Sequence, residues 1–229
     1  MSIRWYGQAA FRLQNEGHTV VIDPFGSMEA AAGRGLRFGY PPIAGVEADL
    51  VLVTQEHLDH NGVEVVGGAP QVVRSTAGKF ASAVGQVVAV AGEHDPAAGT
   101  ERGPNTIFVF RLGGVACCHF GDFGQRHLRE EQAAAIGRPD LLFLPVGGGP
   151  TLDGTRAARI AVDLGVRWVV PMHYRTEAIN FLEPVDAFLA ALPPERIVRL
   201  DSPEFDPGDL PALDGPLAVV PVAPRDGGR

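Results

Sequence analysis

Residues 50–62 read LVLVTQEHLDHNG. An apolar run, Leu50–Val53, stops at Thr54, and Gln55, Glu56, His57, Asp59 and His60 follow at once. A short apolar run bounded by polar turn residues predicts a buried strand. The residues after it then stand at the strand's C-terminal end, where open α/β sheets place their ligand sites. His57-Leu58-Asp59-His60 brings two imidazoles and a carboxylate together within one short stretch. A divalent cation is the simplest common target for such lone pairs. The plainer reading is a polar, solvated loop.

The same placement recurs along the chain. A predicted strand over Thr19–Ile22 ends in Asp23-Pro24, and one over Gln86–Val90 leads to His94. One over Val115–Cys118 runs into His119-Phe120-Gly121-Asp122, and one over Trp168–Val170 ends in Pro171-Met172-His173-Tyr174. Of seven histidines, His57, His60, His94, His119 and His173 all sit just past a strand, as do Asp59 and Asp122. Histidines scattered over a surface would not share that position, so the pattern strengthens the metal reading. Asp23 either hydrogen-bonds a ligating imidazole or caps a turn.

The elements that must hold these residues are mostly strands. Ile3–Tyr6 and Phe11–Leu13 predict a hairpin across Gly7-Gln8-Ala9, and Val72-Val73, Thr106–Leu112, Leu141–Val146 and Ile197–Leu200 read as further strands. Helices are predicted over Gly62–Val66, Thr76–Val84, Leu128–Ile136 and Pro184–Leu192. Another, capped by Thr151 or Asp153, ends near Gly165. Residues 25–48 are rich in Gly, Ala and Pro without periodicity, which marks a lid or wall of the site. The tail, 202–229, is rich in Pro and Asp, with a last edge strand over Leu217–Val222.

Composition bounds the rest. At 229 residues with 45% hydrophobic content, the chain can form a large core without a disulfide or structural metal. No linker or repeat divides it, so residues 1–229 read as one domain. No apolar run reaches the ~18 residues of a membrane span, and MSIRWYG lacks the pattern of a secretory signal. Adjacent Cys117 and Cys118 would point to opposite faces of a strand, as small buried residues of a reducing, cytoplasmic protein. A net charge of −8 argues against nucleic acid as a partner.

Taken together, WYGQAAF, VVIDPF, VTQEHLDHN, EHD…RGPNTIFVF, CCHFGDFG, LLFLPVGG and VVPMHYRT resemble the metallo-β-lactamase superfamily. Within it, the chain is similar to stand-alone metal-dependent hydrolases related to the lactonase and phospholipase-D-like branches. The resemblance spans nearly the whole chain. It implies a four-layer αββα sandwich, two mixed sheets with helices on both outer faces, and one or two divalent ions (Zn, Mn or Fe) at the sheet edge. The family's His-x-His-x-Asp-His falls on Gln55-Glu56-His57-Leu58-Asp59-His60, its next histidine on His94, its bridging aspartate on Asp122 and its last histidine on His173. The strand-end aspartate falls on Asp23, which favours the imidazole-bracing role.

The sequence departs from that pattern where Gln55 replaces the first histidine. In the family one ion is held at the positions of Gln55, His57 and His94, the other at those of Asp59, His60 and His173, with Asp122 between them. An amide oxygen is a weaker, harder donor than imidazole. A second departure is Gln125, where relatives often carry His; His127 is the alternative.

The resemblance implies hydrolysis of an ester, lactone or phosphodiester in a small substrate. The metal activates water, and Asp59 and Asp122 orient it. Arg102 and His119 are candidate substrate contacts, as are Tyr174 and the Gly148 backbone. Each also has a structural reading. Two other functions compete: a mono-metal or metal-poor ligand-sensing protein with degenerate catalysis, and, less favoured by the charge, a nuclease. A homo-oligomer is compatible with the sequence.

Overall fold

The computed structural model describes residues 1–32, 35–211 and 213–225. Strands β1 (Ser2–Gly7), β2 (Ala10–Asn15) and β3 (His18–Ile22) form an antiparallel meander. The segment beyond contains a one-turn helix, α1 (Glu29–Ala32), and a short strand, β4 (Val46–Glu47). β5 (Leu50–Val53) then returns parallel to β3. Short β6 (Val66–Gly67) pairs with β4, and β7 (Gln71–Arg74) extends the sheet beside β5.

The second sheet begins with antiparallel β8 (Gly78–Ser82), β9 (Gly85–Glu93), β10 (Pro104–Leu112) and β11 (Val115–His119). It continues through helix α2 (Glu130–Ile136), β12 (Leu141–Pro145), α3 (Gly154–Asp163) and β13 (Trp168–Met172), with β11, β12 and β13 parallel. Helix α4 (Asp186–Ala190) and β14 (Ile197–Arg199) follow. β15 (Glu204–Phe205) crosses to the first sheet, and β16 (Leu217–Val220) returns to the second. The six-stranded order is β15-β1-β2-β3-β5-β7 and the eight-stranded order is β14-β16-β13-β12-β11-β10-β9-β8.

The period-2 alternation of the first sheet explains its two faces. Ile3, Trp5, Phe11, Leu13, Ile22, Leu50 and Leu52 join the large core shared with the second sheet. Ala10, Val21, Val51 and Val53 face the other way, under Phe25, Tyr40, Ile43, Ile179 and Leu182. Fully burying one such large apolar side chain contributes roughly 1.5–3 kcal/mol. Both faces of β5 are thereby fixed, and the residues after Val53 cannot shift register without turning Leu50 and Leu52 out of the core.

The result is the αββα sandwich. Helices α2 and α3 pack over the second sheet, on β9 and β12 respectively, with α4 against α3. The layer over the first sheet comes mainly from the irregular 25–48 segment, tied by a bridge between Phe38 and Ile179. Asp153, of the two capping candidates, starts α3: its side chain accepts from Arg156 N at 2.9 Å.

Three expectations are corrected. Thr76–Val84 is not helical: Gly78–Ser82 forms β8, hairpinned onto β9, with Ser82 Oγ on the Gly85 carbonyl at 2.7 Å. Pairing with β9 outweighs the helical preference of the small residues there. Leu217–Val220 is not an edge strand but lies between β14 and β13, buried throughout. Residues 63–65 form only a 3-10 turn. No helix of the described residues is long and apolar enough to cross a membrane.

Candidate metal centre

β3, β5, β9, β11 and β13 all run in the same sense within their sheets, so the turns after them meet at one edge of the sandwich. β3 contributes Asp23, β5 the Gln55–His60 loop, β9 His94, β11 Asp122 and β13 His173. Two groups form there: His57, His94 and Asp122, and Asp59, His60 and His173. Within each group the candidate ligand atoms lie within 4.8 Å of one another.

Asp122 is the hinge between the groups. Its Oδ2 is 3.1 Å from His60 Nε2 and 3.3 Å from His94 Nε2, and its Oδ1 is 3.2 Å from His173 Nε2. Burial alone would raise this carboxyl, but His173, His60 and His94 hold it far below the usual carboxylate range. Asn105, itself buried, fixes the Asp122 backbone: its Oδ1 accepts from Asp122 N at 3.0 Å while its Nδ2 donates to the Phe120 carbonyl at 2.8 Å. Gly121 is required beside it, since its φ is +56° and a Cβ would stand 2.4 Å from Asn105 Oδ1.

His60 is held from behind. Asp23 Oδ2 accepts from Thr54 Oγ1 at 2.7 Å and meets His60 Nδ1 at 2.9 Å, while Asp23 Oδ1 accepts from Thr54 N at 2.7 Å. A proton on Nδ1 leaves Nε2 as the free lone pair. Burial pushes the His60 imidazole down, but Asp122, Asp59 and Asp23 outweigh it and raise the ring well above its ordinary value. His94 lies the other way: burial lowers it to about 4, only partly opposed by Asp122.

Gln55 is buried beside these groups and donates from Nε2 to Asp122 Oδ2 at 2.6 Å. A carboxylate only accepts, so the amide nitrogen must face it, and Oε1 is the ligating atom left to Gln55. Gln8, on the β1–β2 turn, donates from Nε2 to Asp59 Oδ2 at 3.1 Å.

The donor set fits a divalent ion. Gln55 Oε1, His60 Nε2, both His94 ring nitrogens, Asp122 Oδ1 and His173 Nδ1 are buried without a hydrogen-bond partner among the described residues. Buried polar atoms are ordinarily satisfied. A cluster of orphaned imidazole and carboxylate lone pairs is what a coordination shell leaves when its ion is taken away.

The centre floors a cleft of about 470 Å³. Met28, Leu36, Leu58 and Phe181 give it apolar walls, and Arg102 lines it as well. Leu36 and Phe181 belong to the layer over the first sheet, so the 25–48 segment does wall the site. The Arg102 side chain is exposed, with no hydrogen bond or ion pair among the described residues. Its backbone N–H is anchored on Asp95 Oδ2 at 2.8 Å, in a turn where Asp95 also accepts from Ala97, Gly99 and Glu101. A larger groove of about 600 Å³, lined by Arg4, Tyr6 and Arg12, contains none of the candidate ligands.

Three candidate substrate contacts lie elsewhere. His119 is fully buried; its Nε2 meets the Ala9 carbonyl at 2.9 Å and its Nδ1 accepts from Gly121 N at 3.1 Å, so both ring nitrogens are engaged inside the fold. Tyr174 packs against Trp5, ring centroids 5.5 Å apart, and burial pushes its phenol well above the ordinary range. The Gly148 N–H donates to the Leu152 carbonyl at 2.9 Å and offers nothing to an oxyanion. Gln125 is tied to Glu93 N at 3.1 Å and to Gln132, and His127 is exposed on a separate hollow beside α3. Neither enters the centre.

The β-lactamase superfamily domain matches residues 2–173, from the start of β1 to the last candidate ligand. The chain belongs to the β-lactamase superfamily. Among the relatives of this superfamily chain, a UPF0173 metal-dependent hydrolase of Methylobacterium nodulans is 31% identical over 226 residues, covering 84% of this chain and 92% of its own length. One from Methanoregula boonei is 30% identical over 199 residues, covering 77% and 83%. A metallo-β-lactamase-superfamily crystal structure from Thermotoga maritima superposes with a TM-score of 0.74 at 30% identity, covering 96% of this chain and 98% of that one.

Asn105, Gln8 and Thr54 were not legible as site residues. Asn105 follows Gly103-Pro104 and reads as a turn residue, and Gln8 sits in a hairpin turn. Thr54 had one usable signal, as the residue ending the strand that opens the metal motif.

Proposed function

We propose that this β-lactamase-superfamily protein is a metal-dependent hydrolase that cleaves an ester, lactone or phosphodiester bond in a small substrate. The observation that carries the reading is the pair of candidate ligand groups, His57/His94/Asp122 and Asp59/His60/His173, sharing one cleft floor where His60 Nε2, both His94 ring nitrogens and Asp122 Oδ1 are unsatisfied among the described residues. The names of the relatives support the hydrolase class. A divalent ion held by these residues would lower the pKa of water at the site toward ~7 and would polarise the oxygen under attack.

The chain's own groups do the rest. Asp122, held ionised by the imidazoles around it, fixes the spacing of the two halves. Asp59 Oδ2 takes the Gln8 N–H, leaving Oδ1, without a partner among the described residues, to receive a proton from the attacking water. Arg102 meets an anionic group of the substrate, and the Met28, Leu36, Leu58 and Phe181 walls limit water around it.

The Gln55 amide favours a second reading. With an amide in place of an imidazole, the His57/His94 half binds its ion weakly, and a chain that works with one ion or none would serve as a ligand sensor. A screen of chromogenic esters, lactones and phosphodiesters with added Mn²⁺ or Zn²⁺ separates the two. The hydrolase reading expects turnover that disappears in Asp122→Ala. Absence of any Asp122-dependent turnover across the panel supports the sensor.

A further inference from the structure

Gln8 is a polar side chain with no exposure at all, placed where the two sheets meet. Its turn serves three other segments. The Gln8 carbonyl accepts from Trp5 Nε1 at 3.0 Å and from His173 N at 3.2 Å. The neighbouring Ala9 carbonyl holds the His119 ring at 2.9 Å. The Gln8 side chain reaches Asp59 Oδ2 at 3.1 Å. Asp59 and His173 are both in the group that includes the braced His60. One residue therefore touches two of that group's three members, one through its side chain and one through its backbone.

The conformation points the same way. Gln8 has φ +47°, a left-handed region that a glutamine seldom occupies and that Gly or Asn would adopt at lower cost. His173 and Asp23 are left-handed too, at +49° and +45°. Buried and strained, the residue holds its amide nitrogen on a carboxylate while its Oε1 has no partner among the described residues. A hairpin turn needs none of this from its side chain. Folding alone would favour Gly or Asn at this position.

We infer that Gln8 is a positioning residue: its amide orients the Asp59 carboxylate and so presets the affinity of the Asp59/His60/His173 site. The inference rests on the metal reading above. The amide N–H occupies Asp59 Oδ2 from one side, which fixes the carboxylate rotamer and leaves fewer orientations to be lost when an ion binds. Gln8 acts through Asp59 and does not itself meet the substrate.

Two variants separate this role from a structural one. Gln8→Gly removes the side chain and relieves the left-handed backbone. Gln8→Asn tolerates the same backbone and keeps an amide, one methylene too short for Asp59. In both, the backbone carbonyl remains for Trp5 and His173. Zn²⁺ titration by calorimetry on metal-free protein should show the tight site weakened ~10–100-fold in either variant. Any weaker ion at His57/His94 should be unaffected, and the melting temperature of the metal-free protein should not fall. The visible spectrum of the Co²⁺-loaded variants should shift from that of the natural protein, reporting an altered coordination shell. Unchanged tight-site affinity in both variants overturns the positioning role and leaves the metal site standing. So does equal loss at both sites accompanied by a lower melting temperature, which marks a structural effect only. A natural protein that takes up no Zn²⁺ overturns this inference and the metal reading together.

Discussion

The two halves of the candidate metal centre meet at Asp122 but are built differently. In the Asp59/His60/His173 half, two side chains are gripped from outside the cleft, His60 by Asp23 and Asp59 by Gln8, while His173 is held through its backbone N–H on the Gln8 carbonyl. In the His57/His94 half, His57 is exposed, and His94 is held only through its backbone N–H on the Gly103 carbonyl at 3.1 Å, with neither ring nitrogen bonded among the described residues. Gln55 there spends its amide N–H on Asp122. One half has two of its side chains set before an ion arrives; the other has neither of its imidazoles set. Ligands whose rotamers are already fixed lose less freedom on binding, so affinity should follow the bracing more than the count of ligands.

The largest effect that would break this contrast comes from His60→Ala with His173→Ala. Both imidazoles leave the braced half, and tight binding should vanish while the far-UV circular dichroism and cooperative unfolding persist, because the large sheet core includes neither residue. Undiminished stoichiometry in that double variant would refute the assignment.

Asp23→Asn sharpens the contrast from one shell further out. It keeps the shape but replaces the carboxylate facing His60 Nδ1 and Thr54 Oγ1. Affinity at the braced half should fall ~10–100-fold, with the other half unaffected, as titrations of both forms would show. A comparable loss in the two halves would mean that Asp23 stabilises the edge as a whole.

Gln55→His acts on the unbraced half. Imidazole is the better zinc ligand, so the weaker Zn²⁺ site should tighten by about 10-fold or more. The hydrogen bond to Asp122 Oδ2 would have to be replaced, which caps the gain. No gain at all would show that the weakness lies in the poor bracing of His57 and His94 and not in the amide.

The smallest effect is at the rim. Glu56 is held down to about 2 by its hydrogen bonds to Arg74, helped by Ser75 and opposed by some desolvation. A depressed carboxylate stabilises the fold above its unfolded value of about 4.5 and loses that contribution as pH falls toward 2. The pair is half exposed, so after solvent screening the contribution is at most about 1 kcal/mol. Glu56→Gln should therefore lower the melting temperature slightly at pH 7 and not at all near pH 2. An equal drop at both would tie the loss to something other than the ion pair.

Legibility in the sequence followed the physics of each element. Leu50–Val53 and Trp168–Met172 are short, wholly apolar and buried on both faces, so their ends, and the ligands beyond them, could be placed from residue type alone. The candidate ligands His57, Asp59, His60 and His173 follow those two strands, whereas His94 follows the longer, partly exposed β9. Thr76–Val84 misleads because its Ala-rich composition favours a helix locally while the pairing with β9 decides the outcome. Leu217–Val220 reads as an edge strand because its insertion between β14 and β13 is a long-range pairing that local sequence does not encode. His119 and Tyr174 share the strand-end position of the ligands, yet pack into the core. Sequence position cannot tell a side chain that turns inward from one that faces the cleft. The bracing residues Gln8 and Asn105 are invisible in the sequence because they act through hydrogen bonds that only the fold closes.

The most direct measurement is a calorimetric Zn²⁺ titration of the natural protein stripped of metal. A tight first ion, lost with His60 and His173, is expected, followed by a second that binds weakly and exchanges readily. Two ions bound with equal, high affinity would contradict this, since the unbraced half with its Gln55 amide would then be as good a site as the braced one.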